Sequence, residues 1–109
     1  MRFAVAGLLL SACGISEERF APTFSELQCA RHWQCDRASY ELLYYGHGDC
    51  IREYERTFLE LAAFESEYGC TYDADAAADA YADLAEMTCE EWHQGELLLG
   101  FTAIWAECG

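Results

Sequence analysis

Seven cysteines in 109 residues constrain this chain more than any other feature: Cys13, Cys29, Cys35, Cys50, Cys70, Cys89 and Cys108. A domain this small buries a limited core and often depends on covalent staples. The spacing argues for disulfides over zinc. Zinc sites present close pairs such as C-x2-C, whereas the tightest pair here, Cys29 and Cys35, has five residues between. Disulfides persist in oxidising compartments outside the cytoplasm. An odd count in an exported protein calls for a separate use of one cysteine.

The odd one is Cys13. It follows Met1-Arg2 and an apolar run from Phe3 to Leu10. A basic start, an apolar stretch and small residues before a cut describe an export signal. Leu10-Ser11-Ala12-Cys13 resembles the bacterial lipobox, in which the cysteine thiol receives a diacylglycerol and the signal is cleaved just before it. A membrane span needs about 20 apolar residues, and this run breaks at Ser11. The expected organisation is a lipoprotein signal peptide over 1–12, lipidated Cys13 with a tether over 13–22, and a disulfide-rich helical domain over 23–109. Twelve residues with a single Arg make a short signal, which points to a start upstream of Met1. Gly14, rather than an Asp, after the lipidated cysteine points to the outer membrane.

All 20 acids lie beyond Cys13 with five of the six arginines, so the chain from Cys13 onward carries a formal charge of −15. A surface this anionic repels phosphates and anionic lipid headgroups. Nucleic acid and polybasic lipid binding are therefore excluded as functions.

The rest reads as helices. Thr23-Phe24-Ser25-Glu26 has the pattern of a capping box, which predicts a first helix from Thr23 to at least Arg37. Ala38 to Tyr45 either continues that helix or folds back as an apolar loop. Gly46-His47-Gly48 is a break, and Asp49 is placed to cap a second helix. Ile51, Tyr54, Phe58, Leu61 and Tyr68 recur at helical steps along one face, and Gly69 suits a C-terminal stop. Asp73 caps a third helix, Ala74 to about Met87, that buries Ala77, Ala80, Tyr81 and Leu84. Cys89 to Gly100 is looser, and Phe101 to Glu107 adds a short helix. The fold class is all-α: a small disulfide-stapled bundle of three main helices plus a short C-terminal one.

Helix geometry prunes the disulfide pairings. Bridged Cα atoms lie within about 7 Å, so Cys29 and Cys35 cannot bond each other along one helix. Cys70 and Cys89 lie at opposite ends of the third helix. If the first two helices form an antiparallel hairpin, Cys35 meets Cys50, Cys29 faces Cys70, and Cys89 is left with Cys108.

The segment Tyr72-Asp73-Ala74-Asp75-Ala76-Ala77-Ala78-Asp79-Ala80-Tyr81-Ala82-Asp83-Leu84, then Met87-Thr88-Cys89, is similar to one in small cysteine-rich lipoproteins of myxobacteria and related bacteria. The spacing of Cys29, Cys35, Cys50 and Cys70 is similar too. The chain departs at Tyr81, where many relatives carry a further cysteine. The resemblance implies an envelope location and a fold style, and no activity.

Candidate chemistry is thin. His47 and Asp49, in Tyr45-Gly46-His47-Gly48-Asp49-Cys50, invite comparison with secreted phospholipases A2. Their His and Asp are adjacent, whereas Gly48 intervenes here, and their glycine-rich calcium loop is missing. A small hydrolase using His47 and Asp49 is the alternative function. Asp75, Asp79 and Asp83 share an exposed helix face, which suits weak divalent cation binding at most. Ala77 and Ala78 stand where an EF-hand loop needs a ligand and a glycine. His32 and His93, beside Trp33 and Trp92, read as packed or surface histidines. No catalytic set, metal site or cofactor is expected. The leading expectation is a membrane-anchored envelope module that contacts another envelope protein, with aromatic residues such as Trp33, Tyr44 and Tyr45 mainly in the core.

Overall fold

The computed structural model describes residues 14–95 and 97–108, with residues 97–100 described by their backbone alone. The signal peptide 1–12 and the lipidation residue Cys13 lie outside the described residues. Among the described residues, six helices follow in chain order: α1 Glu17–Cys35, α2 Arg37–Leu43, α3 His47–Glu67, α4 Ala74–Glu86, α5 Cys89–His93 and α6 Leu97–Ile104. Two-residue strands β1, Thr71–Tyr72, and β2, Trp105–Ala106, pair antiparallel, with Thr71 opposite Ala106 and Tyr72 opposite Trp105. The all-α, disulfide-stapled class holds, with a minimal strand pair added.

The expected tether is not a tether. Helix α1 begins at Glu17 behind Ser16, with Glu17 and Glu18 in its first turn, where acids suit the helix dipole. It runs straight through Pro22. Proline there cannot donate to the Glu18 carbonyl, normally a costly loss inside a helix. The compensation is Phe20 and Phe24, both fully buried on either side of it. Thr23 therefore sits in mid-helix and caps nothing. Upstream, the Ile15 amide donates to the Ala74 carbonyl at 3.1 Å, and the Tyr72 hydroxyl donates to the Ile15 carbonyl at 2.7 Å. Gly14 has φ +83°, and a Cβ there would meet the Ala74 carbonyl oxygen at 2.9 Å. Only glycine fits that approach.

The first helix stops at Cys35, short of the expected Arg37, and most of the ambiguous stretch Ala38 to Tyr45 falls in a helix of its own, α2. The chain breaks at Asp36, φ −152° and ψ 70°, whose carboxylate accepts from the Ser39 amide and starts α2. Gly46 precedes α3. Asp49 lies in the first turn of α3 and reaches back to the Tyr45 amide at 3.1 Å. Gly69, at φ +75°, ends α3 as expected. The Cys70 amide bonds the Glu65 carbonyl and the Gly69 amide bonds the Ser66 carbonyl, a Schellman closure. Asp73 caps α4 through the Asp75 and Ala76 amides. Thr88 and Glu91 form a full capping box on α5.

The core is an aromatic stack. Phe20 lies within 4.8 Å of both Phe24 and Trp105, ring centre to ring centre, and within 5.7 Å of Phe58 and Phe101. Leu84, Ala77, Ala80 and Ile104 close it from α4 and α6. On α3, Phe58 is buried, but Tyr68 is 61% exposed, against the periodicity reading. Contacts from Phe20 and Phe24 to Phe58, and from Cys29 to Cys50, make α1 and α3 antiparallel.

None of the three expected disulfides forms. Instead of Cys35–Cys50, Cys29–Cys70 and Cys89–Cys108, the chain pairs Cys29–Cys50, Cys35–Cys89 and Cys70–Cys108. The antiparallel hairpin is present, but its register differs. Helix α2 occupies the connection, so the start of α3 lies level with Cys29. Cys35, six residues or about 9 Å further along, overhangs and reaches α5. Cys70 lies past Gly69, and the β1–β2 pairing carries it to Cys108. The exclusions of Cys29–Cys35 and Cys70–Cys89 both hold.

Candidate functional site

The α1–α3 pair gives the domain two ends. One end gathers Gly14, the start of α1, the C-terminus of α3 and the strand pair. The other gathers Cys35, α2 and the N-terminus of α3. The 21 residues of α3 separate them by about 31 Å.

At the second end, a polar aromatic cluster surrounds His32. The ring is 5% exposed. Its Nδ1 is 3.0 Å from the Tyr54 hydroxyl and its Nε2 is 3.1 Å from the Ser39 hydroxyl. Tyr40, Tyr44, Tyr54 and Trp92 contact it edge-on or tilted. The Trp92 indole donates to Gln28, and His93 donates to the Cys35 carbonyl at 2.9 Å, so α5 is fastened to α1 beside the Cys35–Cys89 bridge. His32 thus joins α1, α2, α3 and α5, and the packed reading of it holds. Burial pushes its pKa below the ordinary 6.5. Asp36 opposes that shift and His93 adds to it. Burial also raises the hydroxyl pKa of Tyr44 and of Tyr54.

A histidine held neutral by folding makes stability depend on pH. Between the folded value and 6.5, the unfolded chain binds a proton that the folded chain does not. Stability from His32 is therefore complete above pH 6.5 and falls on acidification toward the lower folded value. The melting temperature of the wild type should drop across that interval, and His32→Gln should flatten the drop. Parallel profiles for the two proteins would contradict this account of His32.

The structure separates the candidate hydrolase pair. His47 is exposed, and its Nδ1 meets the Tyr40 hydroxyl at 3.1 Å. Asp49 instead engages the Tyr45 amide and, at 3.3 Å, the Arg52 guanidinium. A groove of about 430 Å³ lies beside the start of α3, lined by Leu43, Tyr44, Tyr45, Asp49, Glu53 and Tyr54 among others; His47 is not part of its wall. Asp75, Asp79 and Asp83 lie exposed along α4. Glu65 lies near Cys70 and Cys108 in a potential ligand cluster, but those two sulfurs are joined to each other.

The groove opens onto an apolar surface that includes Tyr45, expected from the sequence to pack mainly in the core. Leu42 is 85% exposed, Leu43 60% and Tyr45 fully exposed. The run Leu42-Leu43-Tyr44-Tyr45 was legible as apolar. That Leu42, Leu43 and Tyr45 face outward follows only from the break at Asp36, which turns α2 so that Tyr40 and Tyr44 pack inward and the other three do not. Trp33, 45% exposed, carries the Arg37 guanidinium 3.6 Å above its ring.

Fold and surface together define a small, acidic, helical domain held by three disulfides, with an apolar tip at one end and Gly14 at the other. Compared with known proteins, the chain matches no family model, no curated protein and no solved structure.

Proposed function

We propose that the chain is an exported, lipid-anchored interaction module of the bacterial envelope, held at the outer membrane through Cys13 and presenting its α2–α3 tip to another envelope protein. The observation that carries the reading is the use of the cysteines. Cys29, Cys35, Cys50, Cys70, Cys89 and Cys108 all pair with one another. Cys13, at the lipobox position, is left without a cysteine partner in its own chain. Three disulfides in so small a domain also suit an oxidising compartment. The resemblance to small cysteine-rich lipoproteins of myxobacteria points the same way and rests on the residues quoted for it.

The described part of the chain fits such an anchor. Ile15 is bonded to Ala74 and Tyr72, so a lipid on Cys13 would enter the domain with almost no spacer. Phe64 and Tyr68, both exposed and with ring centres 4.7 Å apart, lie at that same end. The apolar tip lies at the far end of α3.

Cys13→Ala tests the reading. Stable anchoring takes more than one acyl chain, and the diacylglycerol supplies two. The wild type should fractionate with membranes and the variant should not. Wild type in the soluble fraction, or a variant that still pellets, would remove the anchor.

A further inference from the structure

Resting on the interaction reading above, we propose that the groove beside α3 receives an arginine side chain of the partner protein, held between tyrosine rings and two carboxylates. Asp49 and Glu53 stand one helical turn apart on the same face of α3, and both line the groove. Each already holds an ion pair with an arginine on its own helix, and such exposed pairs are worth little in water, so an incoming guanidinium shares or displaces them. No basic residue lines the groove among the described residues. Arg52 and Arg56 pair with Asp49 and Glu53, and both arginines are largely exposed outside it.

The floor is aromatic. The rings of Tyr44 and Tyr54 lie with centres 6.2 Å apart, and Tyr45 adds an exposed ring at the mouth. Glu53 and Asp49 also raise the Tyr44 hydroxyl pKa, behind the larger effect of burial. Their negative field therefore reaches the ring at the base of the groove. Aromatic faces with carboxylates beside them attract cations. A guanidinium fits this pair better than an ammonium, because it stacks flat on a ring and forks to a carboxylate. Exposed Leu42 and Leu43 alongside favour aliphatic neighbours on the same partner segment.

Charge selects the occupant. A second copy of this chain brings net charge −14. Four of its six arginines are already engaged: Arg31 with the Met87 carbonyl, Arg37 on Trp33, Arg52 with Asp49 and Arg56 with Glu53. A basic segment of a different protein meets both the carboxylates and the overall field.

The full chain in neutral detergent, titrated with a blocked leucine–arginine–leucine tripeptide and followed by backbone amide chemical shifts, tests this. Saturable shifts should appear at Tyr44, Asp49 and Glu53, and the same peptide with glutamine in place of arginine should produce none. The double variant Asp49→Asn, Glu53→Gln should bind the arginine peptide roughly tenfold more weakly or worse. The Asp49→Asn change keeps a side-chain oxygen to accept from the Tyr45 amide; if the double variant melts lower, Glu53→Gln alone carries the comparison and should still weaken binding. Absence of saturable shifts, equal binding of the glutamine peptide, or undiminished binding by the variants would overturn the proposal. Choline saturating the same residues when the peptide does not would overturn it in favour of a small quaternary ammonium. Peptide binding by a wild type that fails to fractionate with membranes would uphold the groove and remove the anchor, so the two readings fail separately.

Discussion

Phe20→Ala is expected to lower the unfolding free energy by about 3–5 kcal/mol, the usual cost of emptying a buried phenylalanine site. Phe20 is fully buried, and its ring meets Phe24, Phe58, Phe101, Tyr72 and Trp105. Those contacts join α1, α3, α6 and both strands, so the cavity would open at the centre of the molecule. The site cannot collapse easily, because its walls come from several elements pinned by disulfides. Denaturant unfolding of the oxidised protein reads the effect directly. A loss below about 1 kcal/mol, as expected for an exposed position, would mean that residues 14–22 are a tether after all.

Removing the Cys35–Cys89 bridge, by Cys35→Ser with Cys89→Ser, should cost about 4 kcal/mol in the chain-entropy model. Its sequence separation of 54 is the largest of the three bridges, against 21 for Cys29–Cys50 and 38 for Cys70–Cys108. Cys89 is exposed and Cys35 half-buried, so the substitution leaves no large cavity and the loss reports mainly on the constraint. A small domain has only about 5–15 kcal/mol in total, so this variant should melt far lower. Its effect should exceed that of opening Cys29–Cys50 wherever the buried cavity at Cys29 and Cys50 is refilled by Ala or Val. Unchanged unfolding of the Cys35, Cys89 variant would show that the hydrogen bonds of α5 to Gln28 and the Cys35 carbonyl, with Trp92 packed on His32, hold it without the bridge.

Local signals were readable in the sequence where one residue type settles one backbone position. Asp73 before an alanine-rich run, and Gly69 after α3, did what their chemistry requires. The same capping pattern occurs at Thr23-Phe24-Ser25-Glu26, where it lies in mid-helix, and at Thr88-Cys89-Glu90-Glu91, where it forms a full box. What separates them is packing. Burial of Phe20 draws the helix back through Pro22 to Glu17, and a proline within a helix is not something a local rule anticipates. The disulfide map failed for a related reason. Bridge partners depend on the register of α1 against α3, and that register is set by the turn at Asp36 and by α2. Of the candidate site, Tyr44, Tyr45 and Asp49 were individually visible. Their meeting with Glu53 and Tyr54 in one groove needs the three-dimensional course of the chain.

Non-reducing peptide mapping by mass spectrometry on protein isolated from its native envelope tests the central claim most directly, because it reads all seven cysteines at once. The expected result is Cys29 linked to Cys50, Cys35 to Cys89 and Cys70 to Cys108, with a diacylglycerol mass on a peptide that begins at Cys13. Cys13 recovered as a free thiol, or in a disulfide with any of the six, would contradict the account.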